Sequence, residues 1–286
     1  MRVIRSISAR RVNHVGLAAN VEKEATRAIV RDLIPLFASH GIRVSLDDEL
    51  ARDSSSARDI AVGITDECDV IVAVGGDGTI LKIAGRYLDR EIPIVGVKGG
   101  RLGFLTEASP EAVVDMLQSG QFRVQRRMRI KGAVHSGDNV TASISALNDI
   151  VIHSTGYSRM LGMRVELGGK LLREFSADGV IIATPTGSTA YSLSAGGPVL
   201  EPTLGAILLT PLNPHTMSMR PLVLDATEVV RVHLTSAPSG VMITVDGQSG
   251  VEILPEGYID VRRDPRSTRL IVPRSYDFFS LLREKL

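Results

Sequence analysis

The stretch Val70-Ile-Val-Ala-Val-Gly-Gly-Asp77-Gly-Thr79 constrains the fold of this chain more than any other. Five apolar residues in a row, mostly β-branched, fit a strand buried on both faces, as in the middle of a parallel sheet. The run stops on glycines, and Thr79 to Ala84 then has helical spacing, with Ile80, Ile83 and Ala84 on one side. A carboxylate therefore stands at the carboxyl end of a central strand, where open α/β sheets bind ligands. Its glycine neighbours leave room for a bulky one. A tight turn that simply favours Asp is the plainer alternative.

On either side of this stretch, strands alternate with helices. Val12 to Ala18 reads as a strand, about Val21 to His40 as a helix stopped by Gly41, and Ile42 to Leu46 as a second strand. Asp47 to Arg58 is polar and serine-rich, a short helix or a loop. Ile92 to Val97 reads as another strand, followed by a second glycine-rich loop, Gly99 to Leu105. Ser109-Pro110 supplies a cap and a first-turn proline for a helix to Gln118, ended by Gly120.

From Phe122 the periodicity changes to two, with turn signals at 136–139, 168–169, 238–240 and 255–257. Strands are expected over 141–147, 163–167, 180–183, 229–235, 241–245 and 258–262, then a strand over 270–272 and a helix over 277–284. At 286 residues two domains are the natural expectation. The pattern predicts an α/β N-terminal domain with a doubly wound parallel sheet over 1–122 and a β-rich, sandwich-like domain over 123–264. Residues 265–286 are expected to pack back on the first domain.

Lys plus Arg number 33 against 32 Asp plus Glu, a formal charge of +1, which gives no electrostatic case for a nucleic-acid or membrane partner. The local arginine excess from Arg123 to Lys131 reads as a solvated face. One cysteine, Cys68, excludes an internal disulfide and a cysteine-based zinc site, and its acidic neighbours disfavour a thiolate. The N-terminal residues lack the apolar core of a signal peptide, and no run of about 18 apolar residues could span a bilayer. A cytoplasmic protein is expected.

A second candidate site runs from Asp178-Gly179 through Thr184-Pro-Thr-Gly-Ser-Thr-Ala-Tyr191 to Ser194. Here a strand enters a loop with five hydroxyl side chains between Thr184 and Tyr191. Hydroxyls and backbone N–H groups at a helix start suit a phosphate- or ribose-bearing ligand, although a Ser/Thr-rich helix cap is the common alternative. Asn148-Asp149 offers donors and acceptors in a fixed fork, fit for a diol or an adenine edge, but is more often a turn. Asp246-Gly-Gln248 reads as a hairpin turn. There is no G-x-x-x-x-G-K-[ST] loop, no G-x-G-x-x-G fingerprint and no H-E-x-x-H, and the six histidines show no metal-ligand spacing.

Taken together, Gly75 to Thr79, Leu102-Gly-Phe-Leu105, Asn148-Asp149, Asp178-Gly179, Thr184 to Tyr191, Pro214-His215 with Arg220-Pro221, and Asp246-Gly-Gln248 resemble the NAD kinases, in that family's order. The resemblance implies phosphorylation of NAD on the 2′-hydroxyl of its adenosine ribose to give NADP, usually by a homodimer or homotetramer. It implies ATP as donor, polyphosphate in some members, and a divalent cation such as Mg²⁺ carried by the donor, with no metal held by the protein's own residues. Asp77 would be the general base, and Gly75, Gly76, Gly78 and Thr79 the phosphate-donor loop. NAD would be held by Asp77, Gly78, Asn148, Asp149, Arg159, Ser176, Asp178, Thr186, Thr189, Ala190, Tyr191, Ser192, Leu193, Ser194 and Gln248. Asp149, Lys98 and Ser176 depart from the family's usual Glu, Asn and Arg. A lipid or sugar kinase sharing the GGDG turn and a non-catalytic dinucleotide sensor are the rival readings.

Overall fold

The protein is described from a computed structural model over residues 11–53, 60–99, 103–106, 108–156, 160–215, 219–237 and 240–286. It divides into two compact units, Met1–Arg126 with Thr268–Leu286, and Arg127–Ser267. The sequence reading sets its limits at 122 and 264.

The first unit contains β1 (His14–Ala19), α1 (Glu24–Ser39), β2 (Arg43–Leu46), α2 (Asp48–Asp53) and β3 (Ala61–Val62). It continues with β4 (Val70–Gly75), α3 (Asp77–Arg86), β5 (Ile94–Lys98) and α4 (Pro110–Ser119). The next strand, β6 (Phe122–Ser136), leads out of this unit. The sheet order is β3-β2-β1-β4-β5, every pairing is parallel, and Ile94 pairs with Leu270 from the returning tail.

The reason β4 lies centrally is visible in its burial, since Val70 to Val74 are all at 0% exposure. One face of the sheet, through Val70, Val72 and Val74, shares a core with Val30, Leu33 and Phe37 of α1 and Val113, Val114 and Leu117 of α4. The opposite face takes α3. A Cβ added at Gly96, which alternates with Val95 and Val97, would stand 2.2 Å from Ile80 Cδ1. Helices thus cover both faces, as a doubly wound sheet requires. Helix α4 starts as its sequence dictates, with Ser109 accepting from the Ala112 N–H and Gly120 at φ 66 closing the far end.

The second unit is strand-rich. After β6 come β7 (Asn139–Ala146), β8 (Asp149–Ser154), β9 (Leu161–Leu167), β10 (Lys170–Ala177) and β11 (Gly179–Ala183). A 3₁₀ turn (Thr186–Thr189) and the one-turn helix α5 (Tyr191–Ser194) follow, then β12 (Ala206–Leu212), β13 (Leu222–Asp225) and β14 (Val230–Ser236). The last elements are β15 (Val241–Val245), β16 (Ser249–Ile253), β17 (Tyr258–Pro273) and α6 (Phe278–Lys285), of which α6 and the end of β17 belong to the first unit. One sheet runs β13-β12-β11-β8-β15-β16; β10, β9, β14 and β17 form the other, with β6 and β7 attached. Met163, Val165, Val230, Val232 and Ile259 of the second sheet share a core with Ile150, Ile152, Val180, Ile182, Leu209 and Ile243 of the first. This is a sandwich.

Three sequence expectations need correction. The helix expected from Thr79 begins at Asp77, so the carboxylate belongs to its first turn. The strands expected over 258–262 and 270–272 are one, because β17 continues through Pro265 to Pro273. The arginine-rich segment is only partly a solvated face: Arg123 and Arg126 are exposed, but Arg127 and Arg129 lie in β6 at 1% and 0% exposure. Residues 127–130 are all buried, with Met128 and Ile130 in the apolar core and the two arginines at the alternate positions, where Asp246 and Asp264 attract the Arg129 charge. Among the described residues, no helix is long and apolar enough to cross a membrane.

Helix α3, which carries Asp77, is anchored by charge at its far end. Buried Asp47 accepts two hydrogen bonds from Arg86, at 2.8 and 2.9 Å, and one from the Tyr87 hydroxyl at 2.5 Å. Glu49 accepts from Lys82 and Arg86, each at 2.8 Å. Lys82 first and Arg86 second hold the Glu49 carboxyl down at about 2, against an ordinary value of 4.5. A carboxyl depressed in the folded state stabilises above its unfolded value, and that stabilisation is lost as pH falls through the folded one. The wild type's advantage in thermal midpoint over Glu49→Gln is therefore expected to hold at neutral pH and to disappear between about pH 5 and pH 2. A difference that stays constant down to pH 2 contradicts this pairing.

Candidate active site

At the carboxyl end of β4 the Asp77 side chain turns toward the loop after β5. Its Oδ2 accepts the N–H of Phe104 at 2.8 Å. Its Oδ1 accepts the N–H of Leu105 at 3.1 Å and the Thr106 hydroxyl at 3.4 Å. A carboxylate offers about four acceptor positions, so with three occupied one remains, on Oδ2. Gly103 makes this approach possible, because a Cβ there would stand 2.0 Å from Asp77 Oδ1. The glycines around Asp77 divide in role. A Cβ at Gly75 would meet Thr79 Oγ1 at 2.3 Å, whereas Gly76 and Gly78 face open space. Gly75 is packing; Gly76 and Gly78 leave room. The sequence marked the loop after β5 as glycine-rich and as one of the resembling motifs, but its hold on Asp77 was not visible there.

In the second unit, the hydroxyl-rich loop leans on the turn between β7 and β8. Thr184 Oγ1 donates to the Leu147 carbonyl at 2.5 Å and accepts the Gly187 N–H at 3.1 Å. The Thr184 N–H donates to the Asn148 carbonyl at 2.8 Å, and a Cβ at Gly187 would stand 2.1 Å from that same oxygen. Three of the five hydroxyls between Thr184 and Tyr191 act within the chain: besides Thr184, Ser188 donates to the Pro185 carbonyl and Thr189 to the Thr186 carbonyl. Ser192 pairs with Thr210 at 2.9 Å. Thr186 Oγ1 and Asn148 Oδ1 differ from these, being buried with no hydrogen-bond partner. Buried polar atoms without a partner are uncommon in native proteins, and these two lie on the two loops that Thr184 ties together.

A cavity of about 440 Å³ on this unit brings Asp178 and Tyr191 together with His153, Thr155 and Asn213. Asn213 Nδ2 donates to Asp178 Oδ2 at 2.9 Å. Composition gave no reason to single out Thr155 or Asn213. Ser176 lies in β10 and Gln248 at the β15–β16 turn, while Ala190, Leu193 and Ser194 flank or form α5. Arg159 lies outside the described residues.

Charge in this unit centres on two aspartates. Burial first, and the charge of Asp246 second, push the Asp149 carboxyl up to about 7. Burial also raises Asp246, against hydrogen bonds from the Leu147, Asn148 and Asp149 N–H groups and the pull of Arg129. Among the described residues no three His, Cys, Asp or Glu side chains converge as ligands for a metal ion.

Residues 15–119 match the ATP-NAD kinase N-terminal domain and residues 147–272 the ATP-NAD kinase C-terminal domain. An NAD kinase of Geobacter metallireducens is 38% identical over 275 residues, covering 95% of this chain and 97% of that protein. An NAD kinase of Geotalea daltonii is 36% identical over 279 residues, with the same shares covered. Among solved structures, yeast NADH kinase complexed with NADH is similar with a TM-score of 0.87 at 25% identity, covering 96% of this chain and 88% of that one. An NAD kinase from Archaeoglobus fulgidus in complex with ATP gives a TM-score of 0.73 at 26% identity, covering 95% and 98%.

Two outcomes follow from the site's packing and charge. Gly103→Ala forces a methyl onto the Asp77 carboxylate and is expected to lower stability by about 1–3 kcal/mol in urea denaturation. A neutral result contradicts the close approach. A carboxyl raised in the folded state keeps a proton that the unfolded chain has released, so stability falls as pH rises from about 4 to about 7. Asp149→Asn cannot ionise and is expected to gain on the wild type across that window; parallel curves would exclude a buried, protonated Asp149.

Proposed function

This chain belongs to the ATP-NAD kinase family, and from that premise we propose which of its residues carry out the phosphoryl transfer from ATP to NAD. The terminal phosphoryl group of ATP passes to the 2′-hydroxyl of the adenosine ribose of NAD, giving NADP and ADP. Asp77 is the general base. As the ribose oxygen forms its bond to phosphorus, the hydroxyl proton moves to Asp77 Oδ2, and the bond from phosphorus to the ADP oxygen breaks. What supports this assignment is the carboxylate at the end of β4, fixed by two backbone N–H groups with an acceptor position remaining on Oδ2.

The division of labour suits the chemistry. Phosphoryl transfer asks little covalent work of the protein, and one aimed base contributes about 10²–10⁴-fold. Gly76 and Gly78 leave space for the donor, with Gly75 and Thr79 shaping the turn and the N-terminal N–H groups of α3 favouring its charge. A divalent cation carried by the donor would neutralise charge on its phosphates; among the described residues no cluster of three His, Cys, Asp or Glu side chains would hold it. NAD is held by Asn148, Asp149, Asp178, Thr186, the run Thr189 to Ser194 and Gln248, with Arg159 and Ser176 at its border. The unpartnered Asn148 Oδ1 and Thr186 Oγ1 support this half of the reading. The protein is expected to work as a homodimer or homotetramer, which light scattering measures.

Asp77→Asn is expected to lower kcat for NADP formation by about 10²–10⁴-fold while NAD still binds in calorimetry. Normal turnover by this variant would remove Asp77 from the mechanism. Gly78→Ala adds a methyl into open space on a helix, so its stability should rise by up to about 1 kcal/mol. Its turnover should nevertheless fall, because that space belongs to the ligand; unchanged kinetics would exclude contact at Gly78.

A further inference from the structure

The turn between β15 and β16 holds a charge that a hairpin does not require. Asp246 stands at φ 50 and Gly247 at φ 66, the left-handed pair at the centre of a turn that the Gln248 N–H closes on the Val245 carbonyl at 2.9 Å. Glycine or asparagine would serve such a turn without burying a carboxylate. The Asp246 side chain instead reaches the β7–β8 connection, 99 residues earlier in the chain at Leu147. Oδ2 accepts the Leu147 N–H at 2.9 Å, and Oδ1 accepts those of Asn148 at 2.7 Å and Asp149 at 3.2 Å. The Asp246 N–H donates back to the Asp149 carbonyl at 3.0 Å. Three consecutive amides therefore converge on one carboxylate.

Behind it stands Arg129 of β6, fully buried, hydrogen-bonded through Nε to Ser145 Oγ and through a terminal nitrogen to the Ser145 carbonyl, each at 3.1 Å. Its charge favours the Asp246 carboxylate, and Asp264 and Arg266 of β17 act in turn on Arg129. A buried arginine and a buried aspartate are costly to keep unless their arrangement has a use, and here it fixes a single turn. That turn bears Asn148, whose Oδ1 is buried and unpartnered.

We propose that Asp246 is a positioning residue for NAD binding: by gathering the N–H groups of residues 147–149 it fixes the turn so that Asn148 presents its amide to the nucleotide. The proposal rests on the reading that Asn148 holds NAD. Asp246 itself touches no substrate. It also sets the charge beside Asp149, since its own is the one that acts on that buried carboxyl.

The test is steady-state kinetics of the full chain carrying Asp246→Asn, with Asn148→Ala as reference. Asparagine keeps the size but turns an N–H₂ toward donors. The KM for NAD is expected to rise tenfold or more, with kcat within threefold of wild type and the KM for ATP unchanged. A folded Asp246→Asn with wild-type KM for NAD overturns the proposal, as does an equal loss in all three parameters, which marks a merely structural clip. If Asn148→Ala leaves the KM for NAD unchanged, the reading of Asn148 fails and the proposal with it; if only Asp246→Asn is silent, the proposal alone fails. Should Asp246→Asn not fold, Ser145→Ala loosens Arg129 more gently. A threefold rise in the KM for NAD alone then supports the proposal, and no change overturns it.

Discussion

Backbone N–H groups aiming a carboxylate are the interaction on which this protein depends. Asp77 could sit at the end of β4 in many orientations, and the amides of Phe104 and Leu105 select one. Those amides are in place because β5 pairs in register with β4, Gly75 opposite Lys98, so the loop after β5 emerges beside the loop after β4. A parallel sheet brings consecutive strand ends to the same edge, and a glycine at 103 permits the final approach.

The second unit uses the same device with different partners. There an aspartate in a turn collects three amides from another turn, and a glycine at 187 lets backbone meet backbone where Gly103 admits a side chain. In both places the sheets hold the loops at fixed distances and the carboxylate closes the remaining gap. Charge-assisted hydrogen bonds are stronger than neutral ones, so few are needed to hold a short loop still. Rigid loops matter for phosphoryl transfer, in which alignment supplies most of the rate.

Much of the first unit was legible in the sequence. Fully apolar strands, a serine cap before Pro110 and a glycine stop at 120 are local signals, and the observed elements fall within a few residues of them. What escaped was non-local. The unit limits fall inside β6 and β17, so a strand's own pattern runs across them and the limits read at 122 and 264 lie a few residues short of 126 and 267. Arg127 and Arg129 read as surface because their partners lie far along the chain, at Asp246 and Asp264 for Arg129. At the site, Asp77, Asn148 and the hydroxyl-rich loop were visible as residue types. Which hydroxyls serve the loop and which remain without a partner depends on geometry that spacing does not encode. Asp246 looked like an ordinary hairpin residue for the same reason.

The division of the chain also bears on how the protein comes into being on the ribosome. The sandwich is one continuous segment, whereas the α/β unit is assembled from both ends of the chain, with Leu270 set beside Ile94. During synthesis the middle of the polypeptide can complete its core while the first sheet still waits for its last strand. This chain division allows the reverse of the usual order, in which the earlier-made part finishes first. Until the segment around Leu270 has emerged, the edge of β5 lacks the partner that it has in the finished fold.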